Sequence, residues 1–480
     1  MMRIESRSTA KHRSGRTRPH PQATLAILAL THVLLATDFT VVYVALPQVA
    51  LELGFTAHRV QWIVHAYTIV FGSVLIFGGR CADYFGSLKV FLAGLSILAI
   101  ASMVGALAST PMVAVAARGL QGFAAGLIFP SMLALLRITQ PDGHAGMRAV
   151  SIWSASGPLG LAFGCILGGT LVDLLGWQSV FYFNVPFAMA GIIAAFWWID
   201  DSTSQNTAAR RALNAPATAV LTAAISLLIY ALVDSTEPDW RSSMAILPVS
   251  GTVAFAALFI FFERHNADPV LPAHLFRVRN LLVGTLLVGL IMGTFMSLPY
   301  FQTTLYQNTF GYSSVATGFA FLVPCVFQAV GARVCLRLVG CYGLRLTVAS
   351  GLFLGIAGVI GMSVGLYVGE GYAYLVPGLV LSSFGQGIAW AGSWIAVTSS
   401  TEPAEQGTAS GLASTSFQIG GAIGLATMIA LVHRMLGPVE VGAKYALHSM
   451  QLAILVATAG ILIAFFISLR FGPVSPAPQN

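Results

Sequence analysis

Fourteen apolar runs, strung along nearly the whole chain, constrain this sequence more than anything else in it. They cover about residues 24–46, 61–79, 90–109, 111–136, 147–172, 178–198, 215–234, 243–262, 280–298, 315–336, 344–366, 372–398, 409–432 and 447–470. Each is close to the roughly 20 residues a helix needs to cross a bilayer core. Within lipid a segment must satisfy its own backbone hydrogen bonds, so runs of this length are expected to be helices. The composition agrees: 56% of the 480 residues are hydrophobic and 9% charged, with a mean hydropathy of +0.81. An ordinary soluble chain has about 25% charged residues. The expected fold is therefore an all-α integral membrane protein with 14 transmembrane helices.

The chain is basic, with a formal net charge of +7. The placement of its cations argues against nucleic acid as a partner. With both termini in the cytoplasm, 19 Lys and Arg residues fall inside: six in 1–22, then Arg80, Lys89, Arg137, Arg148, Arg210, Arg211, Arg264, Arg277, Arg279, Arg333, Arg337, Arg345 and Arg470. Four fall outside (Arg59, Arg241, Arg434 and Lys444), and Arg118 lies within a run. That asymmetry follows the positive-inside rule and absorbs the net charge. The expected setting is the plasma membrane, crossed many times, with the lipid bilayer as the surrounding partner and the protein a monomer. Cys81, Cys165, Cys325, Cys335 and Cys341 show no CxxC spacing, so no disulfide or metal framework is expected. No GxxxxGK[ST] or HExxH is present, and the GxSxG letters at 361–365 fall inside an apolar run rather than at a strand-to-helix turn. No cofactor, no metal and no enzymatic activity are expected.

The chain carries a weak internal repeat. "GRCADYFGSLKVFLAGL" (79–95) aligns without gaps on "LRLVGCYGLRLTVASGL" (336–352), matching Arg80 to Arg337, Gly86 to Gly343 and Gly94 to Gly351. "QGFAAG" (121–126) similarly meets "QGIAWAG" (386–392). Both matches pair a run with the one eight positions later. Two six-helix halves separated by two inserted helices explain that shift, and repeated halves with a site between them are a plan used by secondary transporters. The expected organisation is a disordered cytoplasmic tail (1–22), an N-terminal six-helix half (23–200), a linker with two inserted helices (201–265), a C-terminal six-helix half (266–472) and a short cytoplasmic tail (473–480).

Chemistry-bearing residues stand out against this apolar background. Asp38 sits inside the first run, where an unpaired carboxylate costs on the order of 3 kcal/mol on insertion scales. Arg118, in the fourth run, is its natural partner, because intramembrane ions pair or serve function. Arg118, Gln121, Gly122 and Ala125 share one helix face by spacing. In "GRCADYFG", Gly79 and Gly86 permit a tight turn, and Asp83 is placed to accept backbone N–H groups from a neighbouring helix end, forming a cytoplasmic gate. Gly157, Gly160, Gly164 and Gly168 make a smooth helical face, with Gly169 beside them. Gln386 and Trp390 form a polar and aromatic stripe in the twelfth run. With Gln121, Met292, Phe295, Met296 and Gln328 they are the candidates for a substrate cavity, since Met and aromatic side chains adapt to varied apolar shapes. His32 and His65 lie in apolar runs and read as packing residues.

These segments resemble the major facilitator superfamily, and within it the fourteen-span drug:proton antiporter family. "DFTVVYVALP" (38–47) is similar to that family's first-span signature, with Tyr43 where Asn is usual. "GRCADYFGSLK" is similar to the superfamily's loop 2–3 motif, with Tyr84, Ser87 and Leu88 in place of basic residues. "RGLQGFAAGLIFPS" (118–131) closely resembles the span-4 motif, and "GLAFGCILGG" (160–169) the antiporter motif, with Cys165 where Pro is expected. "FFERHNADPVLPAHLFRVRN" (261–280) and "EQGTASGLASTSFQIGGAIG" (405–424) are similar to the family's loop 8–9 and thirteenth span. The resemblance implies a proton-coupled exporter of lipophilic or amphiphilic small molecules (drugs, antibiotics or secondary metabolites) working by alternating access. Asp38 and Arg118 would handle protons, Gly79, Asp83 and Gly86 the cytoplasmic gate, and Gly160, Gly164, Cys165, Gly168 and Gly169 the antiporter-motif helix. A proton-independent facilitator or importer, or a transport-inactive sensor, would use the same fold.

Overall fold

A computed structural model of the chain describes residues 21–55, 59–140, 144–199, 214–234, 246–266, 269–295, 297–369, 371–401, 405–436 and 443–472. Residues 1–20 and 473–480 of the expected tails, most of the linker ahead of the inserted helices, and Met296 lie outside the described residues, as does the side chain of Cys165; Pro21 and Gln22, expected in the N-terminal tail, already belong to the first helix. Among the described residues there are sixteen α-helices and no strands. The first seven are α1 (Pro21–Leu53), α2 (Trp62–Phe85), α3 (Ser87–Ala106), α4 (Pro111–Thr139), α5 (His144–Leu175), α6 (Ser179–Tyr182) and α7 (Asn184–Trp198). An inserted pair follows, α8 (Ala215–Asp234) and α9 (Ile246–His265). The remainder are α10 (Arg279–Thr294), α11 (Leu298–Asn308), α12 (Ser314–Ala320), α13 (Leu322–Val368), α14 (Tyr372–Ser399), α15 (Gln406–Leu436) and α16 (Ala443–Ser468).

Eleven helices among the described residues are long and apolar enough to cross a membrane, and 216–232 is a shorter apolar helix. The span 315–368 covers two of the expected runs, because α12 and α13 follow each other closely and α13 continues through a bend at Gly343. The sixth run continues from α6 into α7 through Phe183, whose φ of −51° and ψ of −40° stay helical, and the ninth continues past Phe295 into α11.

The early helices pack mainly on partners two or more positions away. α1 lies on α5, α2 on α4, and α3 on α4 and α7; among the later helices, α10 lies on α14, α15 and α16, and α13 on α14 and α16. The two sets meet along α2–α15 and α5–α13. The inserted α8 lies over the α2–α15 contact, with Ile229 seated on Gly72 and Tyr230 stacked on Trp62 at 5.9 Å.

The repeat read from the sequence recurs in backbone geometry. Gly86 turns the chain between α2 and α3 at φ 98°, ψ 133°, and Gly343 bends α13 at φ 75°, ψ 168°. Residues with a side chain rarely hold a positive φ, so both bends depend on glycine. Beyond each bend a second glycine repeats the match: Gly94 meets Ala124 and Ile128 of α4, and Gly351 meets Gly385 and Ile388 of α14.

Candidate functional site

Asp38, in the middle of α1, is wholly buried, and so is Arg118 on α4. Arg118 Nη1 lies 3.2 Å from Asp38 Oδ2. The guanidinium has further partners. Its Nε donates to the Ile63 carbonyl at 3.3 Å, Nη1 donates to Gln121 Oε1 at 2.8 Å, and the group sits 4.3 Å from the centre of the Tyr67 ring. Gln121 in turn donates to Ser102 Oγ at 2.7 Å. The other carboxylate oxygen, Oδ1, accepts from Asn184 Nδ2 at 2.5 Å. A buried ion pair gains little unless further hydrogen bonds meet the remaining lone pairs and protons. Here they do: Asp38 is held from two sides, by α4 and by the first residue of α7.

Asn184 was not among the residues expected at this site. Its signal was an amide inside the apolar run 178–198, where Gln178 stands only at the edge, since polar side chains within membrane helices commonly bridge helices. Gln121, expected in a substrate cavity, instead supports Arg118 with no exposure of its own.

Four glycines of α5 set the position of α1. Gly157 faces the His32 ring, Gly160 faces Val33 and Ala36, Gly164 faces Thr37 and Thr40, and Gly168 faces Val41. A methyl group on Gly164 would collide with Thr40 Oγ1. The helices also exchange bonds: Thr37 donates to the Gly160 carbonyl at 3.0 Å and Thr40 to that of Leu161 at 3.1 Å. The helix bearing Asp38 thus rides directly on the backbone of α5. Gly169 lies off this face, against Val315 at ordinary contact distance.

At the end of the bundle marked by Gly86, Asp83 closes the α2–α15 contact. Its carboxylate accepts the N–H groups of Gly407 (2.9 Å) and Thr408 (2.8 Å) and the Thr408 hydroxyl (2.6 Å). Those amides belong to the first turn of α15, where backbone donors lack intrahelical partners and the helix dipole favours an anion. Gly79 sits against the backbone of Gly407 and Gly411, which allows the approach. Beside this contact His274 Nε2 lies 2.9 Å from Glu405 Oε2, and Ser151 donates to the Ala332 carbonyl across α5 and α13.

Between Asp38 and that end lies a layer of rings drawn from both sets of helices. His32 stacks on Trp153 at 4.3 Å, and its Nδ1 bonds the Trp153 carbonyl at 3.0 Å, which makes it a packing residue. Trp153 meets Trp394 edge-on at 5.3 Å. Phe129 touches Trp153, Trp394 and Phe417, and Trp390 packs on both Trp394 and Phe417. Trp390 is therefore part of this layer, and Gln386, one turn before it on α14, is also buried. The remaining cavity candidates lie elsewhere: half-buried Met292 is against Gly421, Phe295 is wedged on Gly355, and Gln328 is buried on α13 where its carbonyl meets Gly387. A separate groove of about 530 Å³, lined by Ile360, Ser363, Tyr367, His448 and Gln451 among others, opens between α13 and α16, on helices that carry no part of the ion pair.

An all-helical bundle of apolar helices, with a paired ion at its centre and glycine-lined contacts between helices, defines a multi-pass membrane protein of the transporter kind. Comparison with known proteins gives the family. The chain belongs to the Major Facilitator Superfamily, whose description matches residues 28–425. It is 33% identical over 422 residues to the cephamycin export protein CmcT of Amycolatopsis lactamdurans, covering 87% of this chain and 86% of that protein. It is similar at 30% identity to the tetracenomycin C resistance and export protein of Streptomyces glaucescens (88% and 78% covered). At 32% it is similar to the puromycin resistance protein pur8 of Streptomyces alboniger (84% and 80%). Its fold matches the human organic anion transporter MFSD10 (TETRAN) with a TM-score of 0.68 at 19% identity, over 94% of this chain and 100% of that one.

Proposed function

We propose that this protein is a proton-coupled exporter of lipophilic or amphiphilic small molecules that works by alternating access. The observation that carries the reading is the wholly buried Asp38–Arg118 pair, held further by Asn184. A carboxylate placed so deeply has one obvious use, to be protonated in one state and paired in the other. Protonating Asp38 cancels its charge and loosens its hold on Arg118, and with it the α1–α4–α7 junction. Opening at the Gly86 end would let the proton leave toward the cytoplasm. Each inward charge gains about 2.3 kcal/mol per 100 mV.

The closure at Asp83 is the cytoplasmic gate in this reading, and the structure represents the state shut on that side. Counting the two limbs of α13 separately and adding α8 and α14 to the eleven apolar spans supports fourteen crossings. Both termini then face the cytoplasm, as the cation asymmetry expects. The contacts support two six-helix halves, with α8 and α9 inserted between them. The export direction and the small-molecule cargo are supported by relatives described as export and resistance proteins. We take the working unit to be a monomer.

The test is compound-induced proton movement in everted membrane vesicles with an imposed pH gradient. Asp38→Asn should abolish it at unchanged protein level in the membrane. Undiminished gradient-driven export by that variant would overturn the proposal, and export indifferent to the gradient in the unmodified protein would favour a facilitator.

A further inference from the structure

We propose that the aromatic layer is a binding site for planar, polycyclic compounds that carry carbonyl or hydroxyl oxygens and no positive charge. This deepens the exporter reading and rests on it. The first observation is the source of the rings. Phe129 and Trp153 come from α4 and α5, Trp390 and Trp394 from α14, and Phe417 from α15, with neighbouring centres 5.3–6.3 Å apart. When the two sets of helices part, each keeps ring faces, and a flat molecule between them exchanges one aromatic contact for another.

The second observation is what the rings leave unmet. The indole N–H groups of Trp153 and Trp394 are buried and find no acceptor among the described residues, and neither does the Gln386 side-chain amide nitrogen. An indole nitrogen only donates. A buried donor without a partner costs about 1–3 kcal/mol. Gln386, Trp390 and Trp394 follow one another at four-residue spacing, so they share one stripe of α14, and Trp394 shows that this stripe faces α4 and α5. Two idle indole donors among stacked rings, with the Gln386 amide two turns away on the same stripe, call for acceptor oxygens on a flat scaffold.

The third observation is charge. α4, α14 and α15 contain no Asp or Glu, and the acid on α5 is Asp173, at the far end from Trp153. On α1 the acid nearest His32 is Asp38, already bound by Arg118 and Asn184. His32 presents no negative charge, and its Nδ1 is held by Trp153. A cation in this layer would meet ring faces but no free counter-charge, whereas a neutral quinone would satisfy the waiting donors.

The test is equilibrium binding to the purified full chain in lipid nanodiscs without any ion gradient, so that it does not depend on proton coupling. Two flat probes are compared: quinizarin, neutral and bearing carbonyls, and ethidium, a cation. Titration calorimetry with tryptophan quenching should show saturable quinizarin binding and ethidium binding at least about tenfold weaker. Trp394→Phe keeps an aromatic face, smaller than the indole, and removes the donor; Gln386→Leu removes the amide. Each should weaken quinizarin about five- to tenfold, with both variants still unfolding cooperatively on heating. Ethidium bound as tightly as quinizarin, no saturable quinizarin binding, or both variants binding it like the unmodified protein would each overturn the proposal. Quinizarin bound as expected beside an Asp38→Asn variant that still exports would leave this site standing and refute the coupling instead.

Discussion

Asp83→Asn tests whether a single side chain holds one end of the bundle shut. The carboxylate accepts three hydrogen bonds from Gly407 and Thr408. An amide can keep one backbone bond through its oxygen and turn its NH2 group to the Thr408 hydroxyl, which rotates to accept, but one backbone N–H then faces the NH2 as donor against donor. One bond to an ionised group is lost, at about 1.5 kcal/mol, and the other two fall from charged to neutral strength, at about 0.75 kcal/mol each. Loss of the charge at the start of α15 removes roughly 0.5 kcal/mol more of dipole interaction. The closed state should therefore lose about 3.5 kcal/mol relative to the open one, a shift of a few hundredfold in their ratio. Spin labels at Phe85 and Phe276, both exposed at this end of the molecule, report the opening by pulsed electron resonance. A second, longer distance should appear and dominate in the variant. One unchanged short distance in both proteins would refute the reasoning, because it would mean that glycine packing along α2–α15 suffices for closure.

Asn184→Leu leaves Asp38 Oδ1 without its donor; we expect about 1–3 kcal/mol of lost stability, read as a lower thermal midpoint, together with slowed exchange. Gly164→Ala should cut transport at least tenfold, because the added methyl meets Thr40, while Gly169→Ala, which faces Val315 across ordinary van der Waals distance, should transport normally at equal expression. With Asp38→Asn in everted vesicles, these variants separate the proton site from the α1–α5 contact that positions it.

The helices were legible because lipid forces long apolar runs to be helical, and the Asp38–Arg118 pair was legible because two opposite charges in such runs have few other partners. Asn184 was harder to place. A polar residue in an apolar run can face any neighbour, and only the fold shows that Asn184 is turned to α1. The N-terminal share of the aromatic layer was invisible for another reason: Phe129 and Trp153 look like any apolar residues until α14 and α15 are laid across them. Gln121 shares a helix face with Arg118 in the sequence, but such a face names several possible neighbours, and the fold shows that its amide oxygen is turned to the guanidinium. The close pairing at Gly86 and Gly343 was readable as letters, but its meaning as two matching bends came from the dihedral angles.

The contact between α1 and α5 has a consequence for how such a protein can change over generations. Side chains in the aromatic layer can be exchanged for others of different size or polarity, each exchange altering what fits. The glycine face offers no such freedom, since every replacement of Gly160 or Gly164 adds atoms where the neighbouring helix already is. On the proposed reading, innovation is thereby channelled: the aromatic layer is open to drift, and the bearing that carries Asp38 is not. New chemical tastes can be acquired without re-inventing the engine.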